Sequence, residues 1–333
     1  RRQRQVGKRT TPPSPPPDNP RARPAAGIAM CVCGLFLFSL QDLIIKYFSS
    51  DYSVLQLVFT RGVVATVPIL AVAVATAGWR SLRTRQPKML LARGGFGFFC
   101  YLSYYMAMAA LPLVDVVTIL FTTPILVTII SALLLKETVG ARRWGGLAVG
   151  FLAIVIVVGP RGDLRHLATL LAFASAFAYS GSILVTRFIG AKERPLTITL
   201  YSMFAFIFGS CVAAALVAAF GGAFSTENPA LQFLLREWRA PQSALDFWLM
   251  LALGANAALA FYCLIRAYWI APVSIVAPFE YTYIIWAVLF GWFVWNEAPH
   301  ATSLFGVGLL IASSFYLFRA ELRESRAAER DGV

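Results

Sequence analysis

The feature that most constrains this chain is a recurrence of apolar runs, each near the length of a bilayer crossing and separated by short polar turns. A hydrocarbon core about 30 Å thick needs roughly 20 apolar helical residues, because a spanning helix satisfies its own backbone hydrogen bonds. Such runs fall at about 25–48, 54–77, 89–110, 113–135, 143–159, 167–188, 196–220, 246–269, 273–295 and 301–319. They predict an all-α integral membrane protein with ten transmembrane helices. The fifth run is short, which leaves its depth or tilt open. Pro112 and Pro272 mark tight turns between adjacent helices, at a first helical position that tolerates proline.

A formal net charge of +13 would suit a nucleic-acid binder, but its placement does not. Much of it lies in the N-terminal tail (Arg1, Arg2, Arg4, Lys8, Arg9, Arg21, Arg23) and in the loops between apolar runs. Charged residues make up only 14% of the chain, against about 25% in soluble domains. Residues 1–24 are basic and proline-rich and read as a disordered cytoplasmic tail, and 321–333 as a second tail. The missing initiator Met reads as a truncated start. The first apolar run carries Asp42 and Lys46 without a small-residue cleavage site, so it reads as an uncleaved helix rather than a signal peptide. With the N-terminus cytoplasmic, roughly 23 of the 29 basic residues fall on or beside that face, Arg80, Arg83, Arg85, Lys88 and Arg93 among them. That bias places both termini inside.

The five cysteines all lie in apolar runs and read as small core residues, and Cys31-x-Cys33 has the wrong spacing for a zinc or redox pair. Two histidines, His166 and His300, give no material for a metal cluster, and no cofactor is expected.

An internal repeat is visible. AMAALPLVDVVTILFTTPILVTIISALLLKE, ending at Glu137, aligns without gaps onto AYWIAPVSIVAPFEYTYIIWAVLFGWFVWNE, ending at Glu297. Pro112 meets Pro272, Thr122 meets Thr282 and Gly146 meets Gly306. The register divides the chain into halves 25–160 and 161–320. Each holds five helices, an odd number, so they enter the membrane with opposite polarity. The expected architecture is two five-helix inverted repeats with a site near the midplane.

At this point the sequence resembles the drug/metabolite transporter superfamily, in its ten-helix type with two EamA-like halves. The residues that carry the resemblance are FTRG around Arg61, ARGGFGFFCYLSYYMAMAALPL from Arg93, LLLKE closing at Glu137, and IRAYWIAPVSIVAPFEYTYIIWAVLFGWFVWNE from Arg266 to Glu297. SLQDLIIKYF and APFEY resemble the branch that includes bacterial S-adenosylmethionine transporters. The resemblance implies an inner-membrane carrier, monomeric or weakly dimeric, with a central cavity between its halves. It would move a small metabolite, with coupling to protons or to a counter-substrate left open.

An ionisable side chain inside a bilayer costs about 2.5–3.5 kcal/mol on insertion scales, so it should face a cavity or a partner. Asp42 and Arg61 stand at similar depth on adjacent helices and read as an ion pair, structural or functional, with Lys46 a competitor for the carboxylate that can snorkel. Arg266 and Glu280 form a second candidate pair around the turn at Pro272. There Glu280 is either neutralised by Arg266 or free to hold a substrate amine or a proton. Polar rows at helical spacing surround them: Asp115, Thr118 and Thr122; Tyr101, Tyr104 and Met108; Ser175, Tyr179 and Ser182; Asn256, Cys263 and Arg266; Glu280 and Tyr283. One such row is ordinary interhelical glue, but rows in both halves favour a polar cavity. Its aromatic and mixed-charge lining would suit an amphipathic or zwitterionic metabolite. Glu137 and Glu297 are expected just before the next helix, where its dipole favours a carboxylate. Gly146-x-x-x-Gly150 is expected to pack within the monomer.

Two other classes compete. A membrane-embedded enzyme would need a midplane Ser–His or paired-Asp arrangement, or clustered acids for magnesium, and none is present. A channel or scaffold would need a filter repeat or a soluble domain, and a pump would need a phosphate loop.

Overall fold

A computed structural model describes residues 24–135, 141–158, 167–189, 193–221, 226–271, 276–297, 301–309, 311–313 and 316. Both tails, Glu137, Pro272, His166 and His300 lie outside the described residues. Among those described, every regular element is helical. The longer helices in chain order are α1 (Pro24–Phe48), α2 (Val54–Ala77), α3 (Pro87–Met108), α4 (Leu113–Leu120), α5 (Thr123–Leu135), α6 (Ala141–Val158), α7 (Leu167–Ile189) and α8 (Pro195–Phe220). They are followed by α9 (Pro229–Leu235), α10 (Ala244–Ile270), a 3₁₀ turn (Ala277–Tyr281) and α11 (Thr282–Trp295). Among the described residues, six spans are long and apolar enough to cross a membrane: Pro24–Phe48, Val54–Thr76, Leu113–Leu133, Leu167–Ile189, Pro195–Phe220 and Ala244–Tyr268. Shorter apolar helices lie at Trp144–Ala153, Phe279–Trp295 and Ala301–Ser313.

Local chemistry explains most boundaries. Pro87, Pro195 and Pro229 open their helices where a missing N–H is no loss. Ser53 and Ser243 cap α2 and α10, accepting from the amides of Leu55 and Asp246. Two expected helices are broken instead of continuous. The run 113–135 divides into α4 and α5 at Phe121 and Thr122. Pro124 lacks an amide and disfavours helical geometry in Thr123, while the Thr123 hydroxyl, 2.6 Å from the Leu120 carbonyl, satisfies a freed acceptor. Within the run 273–295, of which 273–275 lie outside the described residues, the tighter turn Ala277–Tyr281 precedes α11, with Pro278 near its beginning. Short α9 was not anticipated, because it is too brief to show a periodic pattern.

Helix pairing crosses between the halves. α1 packs along α10 and α3 along α7, while α2 meets α8 and α4 meets α11. Glycine permits the closest approaches. A Cβ on Gly34 would lie 3.2 Å from the Ala260 carbonyl, and one on Gly254 would collide with Val64. The Gly146–Gly150 face packs within the chain, where the Ser313 hydroxyl donates to the Gly146 carbonyl at 2.6 Å.

Candidate functional site

Between these crossing pairs lies a cavity of about 380 Å³, within the range of small-molecule sites. Its charged lining is Asp42 from α1, Arg93 from α3 and Glu280 from the 3₁₀ turn. Aromatic rings make much of the wall, among them Phe38, Tyr101, Tyr104, Phe121, Tyr179, Phe206, Phe261 and Tyr283.

Asp42 is buried in α1, six residues before Phe48, or roughly 9 Å from that helix end. Its Oδ2 accepts from the Tyr104 hydroxyl at 3.0 Å and from the Tyr283 hydroxyl, and these two hydroxyls are 3.2 Å apart. One carboxylate thus joins α1, α3 and α11. Glu280 is held by the Tyr268 hydroxyl across the turn between α10 and α11.

Both expected ion pairs are corrected. Arg61 does not meet Asp42. It is fully buried, its Nη1 donates to the Tyr105 hydroxyl at 3.2 Å, and its guanidinium carbon stands 4.2 Å from the centre of the Tyr101 ring. The Phe206 ring lies on it too, at 5.7 Å. Tyr105 also accepts from Gln41, the neighbour of Asp42, at 2.6 Å. Tyrosines of α3 take up both groups instead, Tyr104 bonding Asp42 and Tyr105 bonding Arg61. Nor does Arg266 reach Glu280: it is exposed on α10, with no partner among the described residues. Lys46 does not compete for Asp42 either. Its ammonium is 2.5 Å from Glu297 and 3.2 Å from the Leu111 carbonyl, and it lies 5.3 Å from the Trp295 ring centre. The second oxygen of Glu297 accepts from the Leu113 amide at 3.2 Å. The carboxylate sits at a helix N-terminus as expected, but at that of α4.

Of the remaining candidates, Tyr101, Tyr104, Tyr179 and Tyr283 line the cavity together with Asp42 and Glu280. Thr118, Thr122 and Asn256 do not. Thr118 donates to the Val114 carbonyl of its own helix at 2.7 Å, Thr122 is buried at the α4–α5 break, and Asn256 ties α10 to the Leu37 carbonyl at 2.6 Å. Arg93 was counted with the cytoplasmic loop, yet it reaches the cavity. The usable signal was its position inside the apolar run 89–110, opposite runs bearing Thr186 and Ser202, which are now its partners.

The profile of the EamA-like transporter family matches residues 25–159 and 166–319. Relatives include a riboflavin transporter of Vibrio cholerae, 27% identical over 74% of this chain and 76% of its own length. An S-adenosylmethionine uptake transporter of Rickettsia conorii is 22% identical over 89% of this chain and 93% of its own. The pseudopaline exporter CntI of Pseudomonas aeruginosa is 25% identical over 89% and 97%. One solved crystal structure shares the fold at a TM-score of 0.59, with 17% identity over 91% of this chain and 99% of its own.

Proposed function

The chain belongs to the EamA-like transporter family, and from that premise we propose that it is a secondary carrier moving a small polar or amphipathic metabolite across the cytoplasmic membrane by alternating access. It is a multi-pass membrane transporter and not an enzyme. Its relatives are named for riboflavin, S-adenosylmethionine and pseudopaline, and for uptake as well as export. Family membership therefore fixes neither substrate nor direction.

The observation that carries this reading is the aromatic cavity holding Asp42 and Glu280, each met by tyrosine hydroxyls and neither ion-paired with a basic residue among the described residues. Carboxylates inside a membrane protein without a cationic partner are costly unless something else meets the charge. A cationic or amino group of the substrate, or a proton, would meet it during the cycle. The same reading takes ten helices in two inverted halves, with both termini cytoplasmic. Two features support the repeat. The pairs α1–α10 and α3–α7 exchange under it, and α2–α8 and α4–α11 map onto themselves. Phe121 and Tyr281, equivalent in the aligned register, stack with ring centres 5.0 Å apart, as residues beside a two-fold axis would.

Vesicle transport of riboflavin, S-adenosylmethionine and a wider metabolite panel, with and without a proton gradient, is the test. Wild type should accumulate at least one compound unchanged. Glu280→Gln keeps volume and an acceptor for Tyr268, so at matched expression it should lose most transport and flatten its pH profile. Wild-type rates and an unaltered profile would make Glu280 a structural residue only. No transport of any compound by wild type would count against the carrier reading itself.

A further inference from the structure

Arg93 is the cation that lines the cavity among the described residues, and its setting differs from those of the other buried charges. It stands six residues inside α3, roughly 9 Å from the Pro87 end. Its Nε donates to the Thr186 hydroxyl of α7 at 2.8 Å, and its Nη1 to the Ser202 hydroxyl of α8. Two of the three guanidinium nitrogens are thus held by neutral hydroxyls from two different helices. Nη2 has no protein partner, and no carboxylate lies within ion-pairing distance, among the described residues. Gly97, one helical turn on and also in the lining, lets the Phe206 ring approach α3, 3.4 Å from where its Cβ would stand. Tyr179 lines the same cavity as Arg93 and Glu280, so the cation and the acid share one chamber.

A guanidinium placed in a membrane interior without a counter-charge is expensive, and two neutral hydroxyls replace only part of its hydration. Were it merely a tie between helices, a neutral side chain could still bond the Thr186 hydroxyl without bringing a charge into the membrane. We infer that Arg93 is the anion subsite of the cavity, taking a carboxylate or phosphate oxyanion of the transported molecule while Asp42 and Glu280 face its cationic or amino part. This rests on the reading of the cavity as the substrate site. Arginine suits the task because its fork offers in-plane donors to a planar oxyanion, and the hydroxyl clamp fixes its orientation before binding.

The test uses matched probes differing in one anionic group: S-adenosylmethionine against its decarboxylated analogue, and riboflavin 5′-phosphate against riboflavin. Binding is measured on the purified full chain for wild type, Arg93→Gln, Arg93→Lys and Ser202→Ala. Wild type should prefer the anionic member of at least one pair, and the pair that shows it tells carboxylate from phosphate. Arg93→Gln should abolish that preference by weakening only the anionic member, by about 10- to 100-fold, as for a charged hydrogen bond. Arg93→Lys should keep part of it, and Ser202→Ala, which frees Nη1 from its clamp, should keep a reduced preference. If wild type binds both members of each pair alike, or Arg93→Gln weakens both alike, Arg93 is a structural tie and the inference falls while the cavity stands as a site. If none of the four probes binds wild type, the inference and the metabolite-site reading fall together.

Discussion

Removing Glu297 should loosen the end of the protein where α1, α4 and α11 meet. Its carboxylate does two things at once: it pairs with Lys46 at 2.5 Å and accepts the Leu113 amide at 3.2 Å. The side chains of Lys46 and Glu297 keep only 9% and 26% of their surface exposed. Fully exposed pairs contribute about 0.2–1 kcal/mol, while breaking a buried pair costs about 3–5 kcal/mol, so a partly buried one falls near 2 kcal/mol. Loss of the α4 cap adds about 1 kcal/mol. Glu297→Gln, which can still accept from Leu113, should therefore cost about 2 kcal/mol and Glu297→Ala about 3 kcal/mol. Lys46→Met combined with Glu297→Gln should cost less than the two single effects added together. In the proposed topology this contact joins the two halves at the outer end of the cavity. A bias of about 2 kcal/mol lost there is roughly a 30-fold shift in the population of an outward-open state. The melting temperature of purified protein reads the first effect. The second is read by an impermeant maleimide applied outside cells to a chain whose only cysteine is Cys100, which is buried and lines the cavity. Strictly additive melting shifts, together with unchanged Cys100 labelling, would refute both the coupling and the closure.

Other perturbations separate structure from function in the same way. Asp42→Asn still accepts from Tyr104 and Tyr283, so its melting temperature should stay near wild type while transport of a cationic or amino substrate falls about 10-fold or more. Because Arg61 stacks on Tyr101 and makes no direct ion pair with Asp42, the coupling between Asp42→Asn and Arg61→Gln should stay below about 1 kcal/mol, and coupling of about 3 kcal/mol or more would restore the ion pair ruled out above. Gly254→Val forces α10 off Val64 of α2 and should destabilise by about 1–3 kcal/mol in a thermal melt, whereas Gly308→Ala, facing open space, should be silent. Reporter fusions after Arg85 and after Val333 should read as cytoplasmic and one after Glu237 as external; an external reading after Val333 would break the two-half architecture.

Helix positions were legible because the signal is collective. Apolar length accumulates over many residues, so α1, α2 and α7 begin and end within a residue or two of the expected boundaries. The α4–α5 break was less visible, since Thr123-Pro124 lies in an otherwise unbroken apolar run and membrane helices tolerate proline when neighbouring groups re-satisfy the backbone. The Thr123 hydroxyl supplies that satisfaction locally.

Charge partnerships were the least legible part of the site, for a geometric reason. Counting residues from a helix end fixes height in the membrane at about 1.5 Å per residue, but it leaves open which side of the helix faces which neighbour. Asp42 and Arg61, and likewise Arg266 and Glu280, were paired by height alone, and neither pair forms. Pairing by opposite sign also presumes that charges in lipid seek each other. Here tyrosines do much of that work: Tyr104 and Tyr283 meet Asp42, Tyr268 meets Glu280, and Tyr101 and Tyr105 meet Arg61. A hydroxyl or an aromatic face moderates a buried charge without cancelling it. A carrier has use for that distinction. A carboxylate locked to an internal arginine would have to break an ion pair on every cycle, whereas one held by hydroxyls can exchange a neutral partner for a charged ligand at lower cost. Lys46 and Glu297, the ion pair formed among the described residues, stand at a helix junction outside the cavity lining, where a strong contact fixes a conformation and does not compete with cargo.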